Sequence, residues 1–402
     1  MRAHAALTPP AAGEQARRRA LAAVAAATAL NLPYGTIYAF SVFLAPMEAM
    51  LGVGRAQMSF VFGLATVTLT VGMNLAPALY RRIPPGWLLG ACALLGSGGL
   101  ALAATATSLA QLALGYGVLF GFAGGVGFIV VQQGVNQTVD SSRGLVNGYV
   151  VALYPLGAMI GAPLFGWAIG AAGLRATLGA LAASVLACTL AAAVLLRAAR
   201  VRMHDASVPA ADAGDRHWGV FARLFTVFLL AASAGLTVMS QSAGILQAYG
   251  ARSVFAIGAT TLITGAIAAA RVGGGWLVDR FPVARVAVGA HLWSLTGALA
   301  LAAWPGPWVA VPALAMIGMG YGFVSGLTVG AIAQVWHRNS FGLVAGRMYI
   351  AWCAAAVSLP VLAGWIYDRT HGYGGAVLIA AAGNLAGALL ASGLPTRRAR
   401  VN

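Results

Sequence analysis

One arginine stands where a charge is costly. Arg271 lies in AIAAARVGGGWLVDR, inside an apolar run from Ser253 to Asp279, and no other charged side chain is set so deep in any apolar run. No Asp or Glu occupies the middle of such a run, so no buried acid is in sight to pair with it. An unpaired guanidinium in apolar surroundings is unfavourable by several kcal/mol even on lenient membrane scales. A fixed buried cation without a fixed buried anion points to a mobile anion. The fork of the guanidinium can give two parallel hydrogen bonds to a carboxylate. Eight residues separate Arg271 from Asp279, about 12 Å at roughly 1.5 Å per residue, so the two cannot pair along one helix. The plainer alternative is an arginine that snorkels or bonds helix carbonyls.

Aromatic side chains fall at similar depth in other apolar runs: Tyr34 and Tyr38 in the first, Tyr154 in the fifth, Tyr321 in the tenth and Trp352 in the eleventh. Their polar tips can bond a carboxylate while their rings wall off a small cavity; the alternative is packing between helices. Asn31, one turn before Tyr34, is a further candidate. Gln132, Gln133 and Gln241 could also line a cavity. His291 is the one titratable group near neutral pH inside an apolar run, and a packing role is expected for it. The sequence shows no His/Cys metal cluster, paired carboxylates or phosphate-binding glycine loop. No catalysis, metal or cofactor is therefore expected.

Composition says what must hold these residues. Of 402 residues, 60% are hydrophobic and 8% charged, against about a quarter charged in an ordinary soluble domain. A large soluble enzyme is excluded on that ground. All 24 basic residues are Arg, and the net charge is +16. They are scattered in loops rather than gathered in a basic stripe with interleaved aromatics, so nucleic acid is not the expected partner. Cys92, Cys188 and Cys353 all fall in apolar runs, as small packing residues rather than a disulfide framework.

Breaks in the apolar pattern predict twelve membrane spans, at about 20–46, 56–80, 87–107, 111–135, 145–170, 175–196, 220–246, 254–278, 285–304, 308–333, 345–367 and 374–394. The first run is too long for a signal-peptide core and reads as an uncleaved span. The expected organisation is a tail (1–19), a six-helix bundle (20–196), a polar linker (197–219), a second six-helix bundle (220–394) and a short tail (395–402). With the N-terminus inside, the inner loops and tails hold 19 arginines and the outer loops only Arg55, Arg175, Arg252 and Arg369. The positive-inside rule then places both termini in the cytoplasm and the chain in the inner (plasma) membrane.

The halves repeat. RGLVNGYVVALYPLGAMIGAPLFGWAIG (143–170) aligns without gaps to FGLVAGRMYIAWCAAAVSLPVLAGWIYD (341–368), matching Gly144 to Gly342, Gly148 to Gly346 and Trp167 to Trp365. ALYRRIPPG (78–86) matches WLVDRFPVA (276–284) more weakly. Six plus six spans with a polar linker describe the major facilitator architecture, an all-α membrane protein of two pseudo-symmetric six-helix bundles with its substrate between the halves. The glycines of the fourth and fifth spans suit close helix packing.

NLPYGTIYAFSVFLAP (31–46), with Gly35, Tyr38, Ala39, Phe40, Ser41, Val42, Phe43 and Pro46, resembles the first helix of the oxalate/formate antiporter family. ARVGGGWLVDR (270–280) resembles the same family's eighth helix, with Arg271 eight residues before Asp279 in a G-x-x-x-D-R loop (Gly275, Asp279, Arg280). The family looks related to the monocarboxylate transporters. The resemblance implies transport of small organic carboxylates held by the eighth-helix Arg271. Two positions depart from the pattern. Cys353 and Ala354 stand where a dicarboxylate exchanger of the family carries a second cation, and Ile267 stands where proton-coupled carriers place an acid. One buried cation suits one carboxylate better than two.

The expected function is alternating-access transport of a small organic anion of the formate, lactate or oxalate class, a monocarboxylate favoured. It would run as anion exchange or with a proton carried alongside, in a monomer embedded in lipid. Alternatives are an inorganic anion carrier of the nitrate type, whose usual second central arginine is missing here, and a membrane carboxylate sensor that does not transport. Asp279 and Arg280 are expected to gate the cytoplasmic side, Asp279 facing the start of the eleventh span and Arg347. Arg81 is the corresponding residue of the N-terminal half.

Overall fold

A computed structural model describes residues 10–203 and 217–395 of the chain. Every regular element among them is helical. Long Ala-, Leu- and Gly-rich runs satisfy their backbone groups internally, as the apolar part of a bilayer demands. Among the described residues, twelve helices are long and apolar enough to cross a membrane. They are α1 (Gly13–Ala39), α2 (Ala56–Tyr80), α3 (Pro85–Ala104), α4 (Leu109–Thr138), α5 (Arg143–Ala172) and α6 (Leu174–Ala198) in the first half. The second half holds α7 (Trp218–Ala248), α8 (Ser253–Val278), α9 (Val283–Ala303), α10 (Pro307–Val335), α11 (Arg338–Thr370) and α12 (Gly374–Ala391). The expected segments 1–9, 204–216 and 396–402 of the tails and linker lie outside the described residues.

Three spans differ from their expected course. The first is not a single run over 20–46. Its helix starts within the arginine-bearing segment, narrows to a 3₁₀ turn at Thr36–Ala39 and is followed by a short helix, Ser41–Leu51. Arg17, Arg18 and Arg19 are tolerated there because their long stems let the charge leave the apolar zone. The eleventh span exceeds 345–367 and is broken between Ala356 and Leu359. Pro360 in the first turn after the break has no N–H with which to continue the preceding helix. α4 widens to π-helical winding over Ala113–Phe120.

Large apolar side chains cover the outside: Trp87, Trp167, Leu262 and Trp308 are each at least 70% exposed. Such a surface is stable only against lipid or another apolar phase. The halves meet where α5 packs on α8 and α10, and where α2 and α4 pack on α11. Both repeat matches carry one offset of 198 residues, which pairs Met73 with Arg271, Asp140 with Arg338 and Val151 with Tyr349. The interface repeats accordingly. A Cβ on Gly148 would come 2.5 Å from the Arg271 carbonyl oxygen, and one on Gly346 would come 2.7 Å from that of Met73. These two glycines let the halves touch backbone to backbone beside the central arginine.

Candidate functional site

Arg271 of α8 is 3% exposed and lies at the interface of the halves. Its Nη1 donates to the Val151 carbonyl at 2.8 Å and its Nη2 to the Tyr321 hydroxyl at 2.9 Å. The Val151 oxygen is available because Pro155, four residues on in α5, has no N–H to give it. The Nε of Arg271 is buried without a partner. Its guanidinium carbon sits 5.1 Å from the centroid of the Tyr321 ring. The ion pairs found among the described residues, Arg18–Glu14 and Arg338–Asp140, do not include Arg271. Charge is thus met by a carbonyl, a phenol and a ring, and one of the three nitrogens is left without a partner.

A cavity of about 30 Å³ adjoins the guanidinium. That is room for about two waters, taking roughly 10–15 Å³ each. Tyr38, Phe128, Tyr154, Phe228, Tyr321, Tyr349 and Trp352 wall it, with Leu69, Met73, Val151 and Ser325. The rings interlock: Tyr38 with Tyr154 at 6.0 Å, Tyr38 with Trp352 at 6.1 Å, and Phe128 with Tyr154 and Tyr349 at 5.2 and 5.3 Å. The Tyr349 hydroxyl, on the cavity wall, is buried with no hydrogen-bond partner, and behind it both polar atoms of the neighbouring Gln132 side chain are unpaired too. Buried polar groups are normally paired, so orphaned donors beside a cavity mark where a polar guest would sit.

Four expected site residues, Tyr38, Tyr154, Tyr321 and Trp352, do line this cavity with Arg271. Tyr34 and Asn31 do not. Tyr34 turns into the first half, where its hydroxyl donates to the Cys92 carbonyl at 3.0 Å and its ring stacks on Phe120 at 5.1 Å. Asn31 is fully buried on α1 and its amide has no partner. Its position one turn from Tyr34 carries it away from the cavity too. Sequence reasoning missed Tyr349, Phe128, Phe228 and Ser325. Two signals were present: Tyr349 precedes Trp352 by three residues and Ser325 follows Tyr321 by four, the spacings that share a helix face. His291 bonds Asn384 between α9 and α12, Nδ1 to Oδ1 at 3.0 Å, away from the site.

On the arginine-rich face the halves are held together. Asp279 does not meet the start of α11 or Arg347, as expected, but the start of α5. Its carboxylate accepts from the backbone N–H of Gly144 and of Leu145, both at 2.8 Å. The α5–α8 approach explains it, because a Cβ on Gly275 would strike the Gly144 carbonyl and only glycine lets Asp279 reach that helix end. Arg347 is exposed. Arg280 folds back over the Trp276 ring of its own helix, 4.0 Å from the centroid. Arg81 is half-buried, with Nη2 unpartnered. The start of α11 is met instead by Gln133 of α4, whose Oε1 accepts from Gly342 N at 2.7 Å and whose Nε2 donates to the Arg338 carbonyl at 2.7 Å. Arg338 also pairs with Asp140 across the halves at 2.6 Å. The opposite face opens on a vestibule of about 430 Å³ that includes Gln241, Ser240, Thr66 and Phe62. Tyr38 and Trp352 belong to both cavities. A guest could therefore reach Arg271 from that side by displacing two rings.

The Major Facilitator Superfamily profile matches residues 24–356. Monocarboxylate transporter 13 of Rattus norvegicus is 26% identical over 382 residues, 90% of this chain and 86% of that one. An uncharacterized transporter of the superfamily from Escherichia coli K12, YhjX, is 28% identical over 125 residues, 31% of each chain. Among solved structures, the proton:xylose symporter XylE superposes with a TM-score of 0.74 at 12% identity, covering 94% of this chain and 95% of that one. A bacterial homologue of the iron transporter ferroportin superposes with a TM-score of 0.71 at 14% identity, over 94% and 98% of the two chains. These superpositions speak for the fold alone.

Proposed function

The chain belongs to the Major Facilitator Superfamily, and from that premise we propose that it carries a small organic anion, most readily a monocarboxylate, by alternating access. The observation that carries this reading is Arg271: a buried cation between the halves, without an acid, with an unpartnered Nε and a ring-lined cavity beside its side chain. A carboxylate would take the bidentate geometry that Val151 and Tyr321 now share between them. The Tyr349 hydroxyl and the Gln132 amide would supply further hydrogen bonds. The small cavity and the single cation favour one carboxylate over two, and the similarity to a monocarboxylate transporter agrees with that choice.

In this reading the arginine-rich face is cytoplasmic, and the conformation is closed there and open to the outside as far as Tyr38 and Trp352. Binding neutralises Arg271 and draws the rings over the guest. The contacts of Asp279, Gln133 and Arg338 then give way, and the site opens inward. Gradients drive the cycle, either by exchange of anions or with a proton carried alongside. The test is counterflow in reconstituted vesicles with formate, lactate, oxalate and nitrate, with and without a pH gradient. Labelled lactate or formate should exchange. Counterflow of nitrate alone, or of none of the four, overturns the reading.

A further inference from the structure

A basic cavity lies apart from Arg271, at the arginine-rich end of the molecule. It is about 630 Å³ in volume and opens between the ends of α1, α4 and α6 and the loop that enters α11. Among the described residues four arginines line it, Arg19, Arg200, Arg202 and Arg338, with a single carboxylate, Asp140. Four guanidinium groups against one carboxylate leave a formal charge of +3. Arg338 is held by Asp140 at 2.6 Å. Arg19, Arg200 and Arg202 form no ion pair among the described residues, and the Nε of Arg19 is buried with no hydrogen-bond partner. Like charges gathered round a cavity repel one another, and an anion bound among them relieves that repulsion.

We propose that this pocket binds an anion with two phosphate groups and that such an anion holds the two halves in the conformation described. Guanidinium forks match phosphate oxygens in pairs. At neutral pH a terminal phosphate group carries up to about −2 and a phosphodiester about −1, so two phosphate groups bring roughly −2 to −4 against the +3 of the pocket, which one group cannot match. The pocket draws Arg19, Arg200 and Arg202 from the first half and Arg338 from the second. A bridging anion therefore resists their separation. It also competes with Asp140 for Arg338, replacing one link between halves by a broader one. Two sources supply this chemistry: a free diphosphate, and the headgroup of a cardiolipin-like lipid, since basic pockets between spans suit such headgroups.

The test uses the full chain in two settings. In lipid-free detergent, sodium pyrophosphate should raise the unfolding temperature by a few degrees and saturate. In phosphatidylcholine vesicles, cardiolipin, or pyrophosphate on the arginine-rich side, should slow counterflow several-fold. A response to pyrophosphate alone names a soluble diphosphate, and a response to cardiolipin alone names the lipid. Arg200→Gln with Arg202→Gln should abolish the response while leaving basal counterflow intact; Arg200→Lys with Arg202→Lys should keep part of it. Arg271→Lys should keep the thermal shift, so a wrong view of the transport site leaves this result readable. Absence of any response to both probes overturns the proposal, as does an equal response in the double Gln variant.

Discussion

Asp279 offers the sharpest single perturbation, Asp279→Asn. Its carboxylate takes backbone N–H bonds from Gly144 and Leu145 with one oxygen each, at 2.8 Å. The amide keeps one acceptor oxygen and turns an NH₂ toward the second N–H donor. What is lost is one hydrogen bond to a charged group, roughly 1.5–3 kcal/mol, together with the attraction between a negative charge and a helix N-terminus, roughly 0.3–1 kcal/mol. A loss of about 2–3 kcal/mol shifts the balance of conformations roughly 30- to 150-fold, at 1.4 kcal/mol per tenfold. Only the conformation closed on the arginine-rich face is weakened, since the contact joins α8 to α5 across the halves. Spin labels at Arg82 and Phe281, both exposed on that face and in opposite halves, report the change as a distance distribution. In a cysteine-free background the variant should gain a longer-distance population that the parent lacks. An unchanged distribution with the protein folded would refute the argument that this contact closes the face.

Other expected outcomes follow from the site. Arg271→Lys should insert and fold but lose measurable counterflow, because an ammonium cannot reproduce a two-bond fork; normal uptake would remove the central argument. Tyr349→Phe removes a hydroxyl that has no partner, so the unfolding temperature should hold while KM for the carboxylate rises about tenfold, one hydrogen bond to a charged group; an unchanged KM excludes Tyr349 from binding. Gly148→Ala puts a methyl 2.5 Å from the Arg271 carbonyl oxygen, which should force the halves apart and cut counterflow at least tenfold, read beside Gly166→Ala, where the added Cβ meets open space.

Periodicity and composition made the twelve spans and the repeat legible, because a bilayer leaves the chain few alternatives. Arg271 was legible for the same reason: one charge in a long apolar run has few innocent uses. The direction of side chains within a span was not. Tyr34 and Tyr38 are four residues apart, a spacing that predicts one helix face and one cavity for both. The 3₁₀ turn at Thr36–Ala39 changes the helical register between them, and only Tyr38 reaches it. The partner of Asp279 was also hidden, since the choice between α5 and α11 rests on which helix end Gly144 and Gly275 let approach. Gln133 stands out in sequence as a polar residue in an apolar run, but its bond to the start of α11 depends on a contact between residues more than two hundred positions apart, which no local pattern records.

The proline in α5 has a kinetic consequence. By withholding an N–H from the Val151 carbonyl, Pro155 gives the empty protein an internal acceptor for Arg271, and that acceptor belongs to the other half. For a carrier, the unloaded cation is moored across the very seam that must part. A bound carboxylate takes over as acceptor and casts off the mooring, so the loaded form should turn over faster than the empty one. Swap of one anion for another would outrun one-way leak, measurable as counterflow exceeding net efflux from the same vesicles. Pro155→Ala, which restores an N–H to compete for that carbonyl, should narrow the difference.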